Sequence, residues 1–196
     1  MLELFLSAFI TLFVVLDPPG CAPIYAGLTT GASPAQKRSM AIRACVIAGA
    51  ILLVFALFGE RLLAALHIEL DSFRAAGGIM LFLIALDMVF EKRTQRREKR
   101  AEEVKATPEV EDVSVFPMAM PMLAGPGAIA SVMLLAGNAD GLEQALIVLG
   151  ALLAASPLMR LVGAQVEAVI TRLLGVLLAA LAAQYVIDGI KGSFGL

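Results

Sequence analysis

The sequence predicts an all-α, polytopic membrane protein with six transmembrane helices in two inverted three-helix repeats, the first and fourth helices being broken. Three observations carry this. First, 60% of the 196 residues are hydrophobic and only 16% charged, with a mean hydropathy of +0.89. A soluble domain holds roughly a quarter of its residues as charges, and a chain this small has too large a surface fraction to hide so much apolar side chain. Second, charged clusters divide the chain into six apolar segments, each near the roughly 20 residues a spanning helix needs. Third, two of those segments are interrupted by nearly the same turn: Leu16-Asp17-Pro18-Pro19-Gly20 and Leu123-Ala124-Gly125-Pro126-Gly127. Paired Gly/Pro breaks at corresponding positions of two halves point to a transporter built from repeats, with its site at the breaks.

The segments run over 2–28, 40–58, 73–90, 113–136, 142–160 and 168–190. Met1-Leu2-Glu3 has no Lys or Arg, so the first segment lacks the basic start of a cleaved signal peptide and is expected to stay as a span. Residues 1–90 form the first repeat, 91–112 a charged cytoplasmic linker, and 113–196 the second repeat. The linker divides by sign: Lys92, Arg93, Arg96, Arg97, Lys99 and Arg100 crowd its first half, and Glu102, Glu103, Glu109, Glu111 and Asp112 its second. Such a run cannot bury a core, so it is expected to stay solvated as a linker and topology determinant, or to touch anionic lipid headgroups.

Orientation follows from the basic residues. Lys37, Arg38, Arg43, the basic residues of the linker, Arg160 and Arg172 fall on one side, against Arg61, Arg74 and Lys191 on the other. The positive-inside rule then puts both termini outside the cytoplasm, in the periplasm for a bacterial inner membrane. Three crossings per half invert the second half relative to the first. Pro19 matches Pro126 at an offset of 107, Gly49 matches Gly150 at 101, and Gly78 matches Gly175 at 97. Shorter loops in the second half would produce that fall.

The two breaks are the candidate site. A proline removes a donor and clashes with the carbonyl four residues back, so Pro18 and Pro19, with Gly20 and Pro23 behind them, should stop the first helix near Leu16. Asp17 can cap a new half-helix with Pro18 at its first position. In the second half Gly125 allows the tight backbone and Pro126 restarts the helix, while Pro117 and Pro121 weaken the stretch before it. Two half-helix N-termini of this kind, each with free N–H groups and a positive dipole end, suit an anionic group such as a carboxylate. The substrate-binding candidates are therefore Asp17, Pro18, Pro19, Gly20, Gly125, Pro126, Gly127 and the neutral donor Ser131. Candidate ion-coupling carboxylates are Asp17 and Asp87, because a carboxylate at membrane depth is costly and usually functional. Capping alone also accounts for Asp17, and an interfacial position accounts for Asp87. Asp188, near Lys191, reads as interfacial, and His67 as a surface residue.

Other chemistry is excluded or unsupported. A net charge of −2 gives no support for nucleic-acid binding. Cys21 and Cys45 lie in apolar segments and read as buried free thiols. No Walker-type loop, His-Glu-x-x-His or Gly-x-Ser-x-Gly is present, so neither ATP use nor an enzyme is expected, and no cofactor. Gly77, Gly78, Gly150, Gly175, Ala179 and Ala182 permit close helix packing, within one chain or in a homodimer.

The motifs Asp17-Pro18-Pro19-Gly20 with Pro23, Ala119-Met120-Pro121-Met122-Leu123-Ala124-Gly125-Pro126-Gly127-Ala128-Ile129, and Gly77-Gly78-Ile79 through Leu83-Ile84-Ala85-Leu86-Asp87-Met88 resemble the MarC family of bacterial inner-membrane proteins. The resemblance covers essentially the whole chain. It implies a six-helix membrane protein related to the LysE-type exporters, and some relatives are described as neutral amino-acid transporters. Asp17 stands where many relatives carry Asn, which favours a charge-bearing role here. The expected activity is secondary transport of a small polar solute, most simply a neutral amino acid, coupled to a proton or sodium ion. The alternative is a lipid-handling or scaffolding protein that binds headgroups through residues 92–100.

Overall fold

The computed structural model describes residues 2–90, 112–137 and 167–195, with the isolated positions 99 and 102. The described residues are helical, joined by short turns. α1 (Leu2–Leu16) and α2 (Pro18–Leu28) form the first broken segment, followed by α3 (Pro34–Ala65) and α4 (Leu70–Val89). A Pro-rich helical stretch, Ser114–Leu123, leads into α5 (Pro126–Gly137), and α6 (Glu167–Phe194) closes the chain. Three helices are long and apolar enough to span a bilayer, α3, α4 and the Arg172–Phe194 part of α6, and two bent pairs raise the total to as many as five. Those five match five of the segments expected from sequence. The remaining segment, 142–160, Gly150 of the Gly49–Gly150 match and most of the charged linker, including all of its basic run but Lys99, lie outside the described residues.

α3 is longer than its apolar segment at both ends. Ser33 caps its start by accepting a hydrogen bond from the Gln36 N–H, and the Gln36 side chain accepts from the Ser33 N–H in return, a reciprocal pair that fixes a helix start. Its buried stripe, Met40, Ala44, Ala48, Leu52, Gly59 and Leu63, follows helical spacing, whereas Ile42, Val46, Val54, Leu57 and Phe58 point outward. Outward apolar side chains along a span fit a hydrocarbon surround and would be a liability in water. Charge-free stretches are shorter than the helices themselves: 44–59 in α3, 75–86 in α4 and 173–187 in α6.

α4 and α6 run antiparallel, and glycines bring their backbones together. A Cβ on Gly78 would stand 2.8 Å from the Ala182 carbonyl oxygen and 2.8 Å from Val186 Cγ2. A Cβ on Gly175 would stand 3.2 Å from the Ala85 carbonyl oxygen and 3.1 Å from Val89 Cγ2. Adding 97 to 78, 85 and 89 yields 175, 182 and 186. Each helix therefore offers its partner the same glycine, carbonyl and valine. At the far end Gly189 sits against Ala75, with a Cβ there only 2.5 Å from the Ala75 nitrogen. Gly192 lies against the Asp71 carboxylate, which pairs with Arg74 at 2.6 Å. Gly77, Gly78, Gly175 and Ala182 are thus used within the chain; Ala180 and Ala183 face outward.

α5 fills the middle. Its Met133 covers Gly59 of α3, and its Leu134 and Ala130 cover Gly77 of α4. α1 packs on α5 and α6, and α2 on α6 and the Pro-rich stretch. One buried cluster joins residues of both breaks, including Leu16, Cys21, Ala124 and Ala128, with Leu81, Ala85, Leu178 and Ala182 of the α4–α6 pair.

Candidate functional site

The first break is built from the backbone outward. Asp17 still donates its N–H to the Phe13 carbonyl at 3.0 Å, and its own carbonyl accepts from Cys21 at 3.1 Å. Helical bonding therefore reaches Asp17 from one side and restarts there on the other. Pro18 and Pro19 between them have no N–H to offer the carbonyls four residues back. Gly20, the next residue with an N–H, donates it to Asp17 Oδ1 at 3.2 Å, and the Cys21 thiol approaches the Leu16 carbonyl at 3.6 Å. Asp17 itself sits at φ 54°, ψ 63°, the left-handed region that Asp and Asn enter more readily than other side chains. The two half-helices meet at 43°. Asp17 is 1% exposed.

The second break takes a different route to a larger bend, 56° between Ser114–Leu123 and Pro126–Gly137. In the Pro-rich stretch the Phe116–Pro117 and Met120–Pro121 peptides are cis, and the backbone at Phe116 and Met120 is extended. Wide turns bridge these positions, with Met118 donating to Val113 at 3.2 Å and Ala124 to Ala119 at 2.8 Å, a five-residue spacing common at functional interruptions of helices. Gly125 is required by space: a Cβ there would stand 2.5 Å from the Pro121 carbonyl oxygen. Gly127 packs against Ile84 of α4. Ser131, about one turn further on, is fully buried, and its Oγ has no hydrogen-bond partner among the described residues.

The residues expected from sequence fall as follows. Asp17, Pro18 and Gly20 are buried at the first break, with Pro19 in the first turn of α2. Gly127 and Ser131 are buried on α5, Gly125 is half-buried and Pro126 exposed. Asp87 lies half-buried on α4, one residue before Met88, which packs on Gly175. Asp188 accepts a hydrogen bond from Gln184 at 2.8 Å, and His67 is exposed in the α3–α4 turn. Buried Thr11 on α1 was missed; a hydroxyl inside an apolar run carries no signal in hydropathy.

A polytopic helical membrane protein in which two bent helix pairs meet in one core is the class this geometry defines. The chain belongs to the MarC family of integral membrane proteins, whose profile matches residues 2–194. It is similar to a UPF0056 membrane protein of Methanocaldococcus jannaschii, at 34% identity over 98% of either chain. The UPF0056 membrane protein YvbG of Bacillus subtilis is 33% identical over 99% of this chain and 97% of its own. The UPF0056 inner membrane protein YhgN of Escherichia coli K12 is 31% identical over 95% of both. No solved structure matches the chain.

Proposed function

We propose that the protein is an inner-membrane secondary transporter of a small polar solute, a neutral amino acid being the solute its breaks suit. The observation that carries the reading is Asp17: an acidic side chain 1% exposed, in left-handed backbone, at the N-terminus of a half-helix inside an apolar core. A carboxylate there is expensive, and Asn would cap the same turn without the charge. In this reading Asp17 binds the solute's ammonium group or carries the coupling proton. The free N–H groups of Gly127 and Ala128, which open α5 behind Pro126, face the solute's carboxylate, and the Ser131 hydroxyl completes the set. Asp87 is the second carboxylate available to a proton or sodium ion.

The reading includes two inverted three-helix repeats and both termini in the periplasm. Its support is the reciprocal seam of α4 and α6, in which Gly78, Ala85 and Val89 meet Gly175, Ala182 and Val186 at a constant offset. Two elements related by an in-plane twofold axis must contact each other in this self-complementary way.

Uptake and counterflow of radiolabelled amino acids in proteoliposomes, with intact protein and Asp17→Asn side by side, test it. Saturable uptake that follows a proton or sodium gradient and weakens in the variant is the expected result. Uptake indifferent to Asp17→Asn reduces the residue to a cap. Silence toward every amino acid under every gradient overturns the proposal.

A further inference from the structure

A second polar feature lies at the end of the bundle that carries Lys37 and Arg38, away from the breaks. An open cleft of about 490 Å³ is bounded by the α2–α3 turn at Gly31, by Gln36, Ser39 and Arg43 of α3, and by Asp112. Arg43 and Asp112, 69 residues apart in sequence, form an ion pair across it. Both stay open to the cleft, with 55% and 40% of their side-chain surface exposed. Each is also held in place. Arg43 reaches the Ser39 hydroxyl at 3.5 Å, and Asp112 Oδ1 accepts the Ser114 N–H at 2.9 Å, so the carboxylate is fixed to the start of the Pro-rich stretch.

α2 links this cleft to the first break. Tyr25 lies eight residues beyond Asp17 on α2, about 12 Å at 1.5 Å per residue. Its phenol donates to the Lys37 carbonyl of α3, two turns before Arg43. α2 thus runs from the Asp17 turn at one end to the turn bounding the cleft at the other.

We propose that the Arg43–Asp112 cleft is a second, superficial binding site for a zwitterionic α-amino acid at the mouth of the pathway. A guanidinium released from its ion pair takes a carboxylate with strong charge-assisted hydrogen bonds. A fixed carboxylate beside it takes the ammonium. The cleft volume holds a molecule of that size with water around it. The zwitterion exchanges one protein–protein ion pair for two protein–ligand pairs, so binding opens the link between α3 and the Pro-rich stretch. The site's place on a transport pathway rests on the transport reading; its occupancy does not.

The test separates the two. In a full-length Cys21→Ala/Cys45→Ala background, Ser39→Cys places one thiol in the cleft, and its alkylation rate by a soluble maleimide is followed in phosphatidylcholine vesicles. L-Alanine slows labelling if the site binds it, whereas N-acetylalanine and alaninamide, each with one charge, protect less. Arg43→Gln removes protection by N-acetylalanine, and Asp112→Asn removes protection by alaninamide. Either change raises the alanine concentration for half-protection about tenfold, the cost of one charge-assisted bond.

Protection without uptake leaves the site standing and overturns the transport reading. Uptake without protection does the reverse, and the loss of both overturns both. Slowing by added phosphatidylglycerol but not by alanine assigns the Arg43 cleft to lipid phosphate and overturns the amino-acid site.

Discussion

Asp17 does two separable things in this structure, and substitution can pull them apart. Its side chain caps α2 through Gly20, and its backbone occupies left-handed space. Ala at this position loses the cap, worth about 1 kcal/mol, and meets the left-handed penalty, about 1–2 kcal/mol, for a total of roughly 2–3 kcal/mol. Gly tolerates the backbone and gives up only part of the cap, about 1 kcal/mol or less. Asn keeps both features, so its stability should stay close to the native value. Cys21 supplies the probe, because its thiol is buried in the broken turn. In a Cys45→Ala background, thermal unfolding is read as the onset of maleimide reaction at Cys21. At roughly 2–4 °C per kcal/mol for a chain of this size, Asp17→Ala should melt about 5–10 °C lower, Asp17→Gly about 2–4 °C lower, and Asp17→Asn close to native. An Asp17→Ala protein within about 1 °C of native, or an Asp17→Asn protein that falls as far as Ala, refutes the reasoning.

The same melting assay checks four further expectations. Gly125→Ala drives a methyl into the Pro121 carbonyl oxygen and should cost about 1–3 kcal/mol. Gly127→Ala clashes with the flexible end of Ile84 and makes ordinary contact with Leu81, so pairing it with Ile84→Ala should recover most of any loss. Gly78→Ala meets backbone at 2.8 Å, whereas Gly175→Ala meets Met88 Cβ at 2.9 Å and backbone only at 3.2 Å, so both should destabilise by about 1–3 kcal/mol, Gly78→Ala the more; a neutral Gly78→Ala refutes the close seam. Ser131→Ala removes a buried hydroxyl that has no partner among the described residues and should be neutral or stabilising by about 1 kcal/mol without solute, while raising the KM for uptake.

The interruptions were legible because proline and glycine act locally. Pro18, Pro19, Gly125 and Pro126 mark the broken turns by removing donors and Cβ atoms, and no tertiary information is needed to see it. The length of α3 was less legible. Hydropathy registers the part inside hydrocarbon and passes over the solvated turns that Ser33 and Gln36 cap. The left-handed backbone at Asp17 had a signal in its residue type, since Asp and Asn share both that tolerance and the capping oxygen. The wide turns and extended backbone over 114–123 had none, because Pro117 and Pro121 say only that an ordinary helix fails there. Long-range pairings such as Arg43 with Asp112 depend on packing that no single segment encodes.

The charge-free stretches carry a last consequence. At 1.5 Å per residue, residues 75–86 of α4 cover about 18 Å, 173–187 of α6 about 22 Å and 44–59 of α3 about 24 Å, all short of the roughly 30 Å of an ordinary hydrocarbon core. Lipid beside a span this short must dimple inward, or long side chains such as Arg74 must climb to reach headgroups. Where lipid dimples, the bilayer around the α4–α6 pair is thinner than its surroundings, and the dry distance a crossing molecule faces is shorter. Lipids with longer acyl chains would resist the dimple, which makes membrane thickness itself a control on this protein.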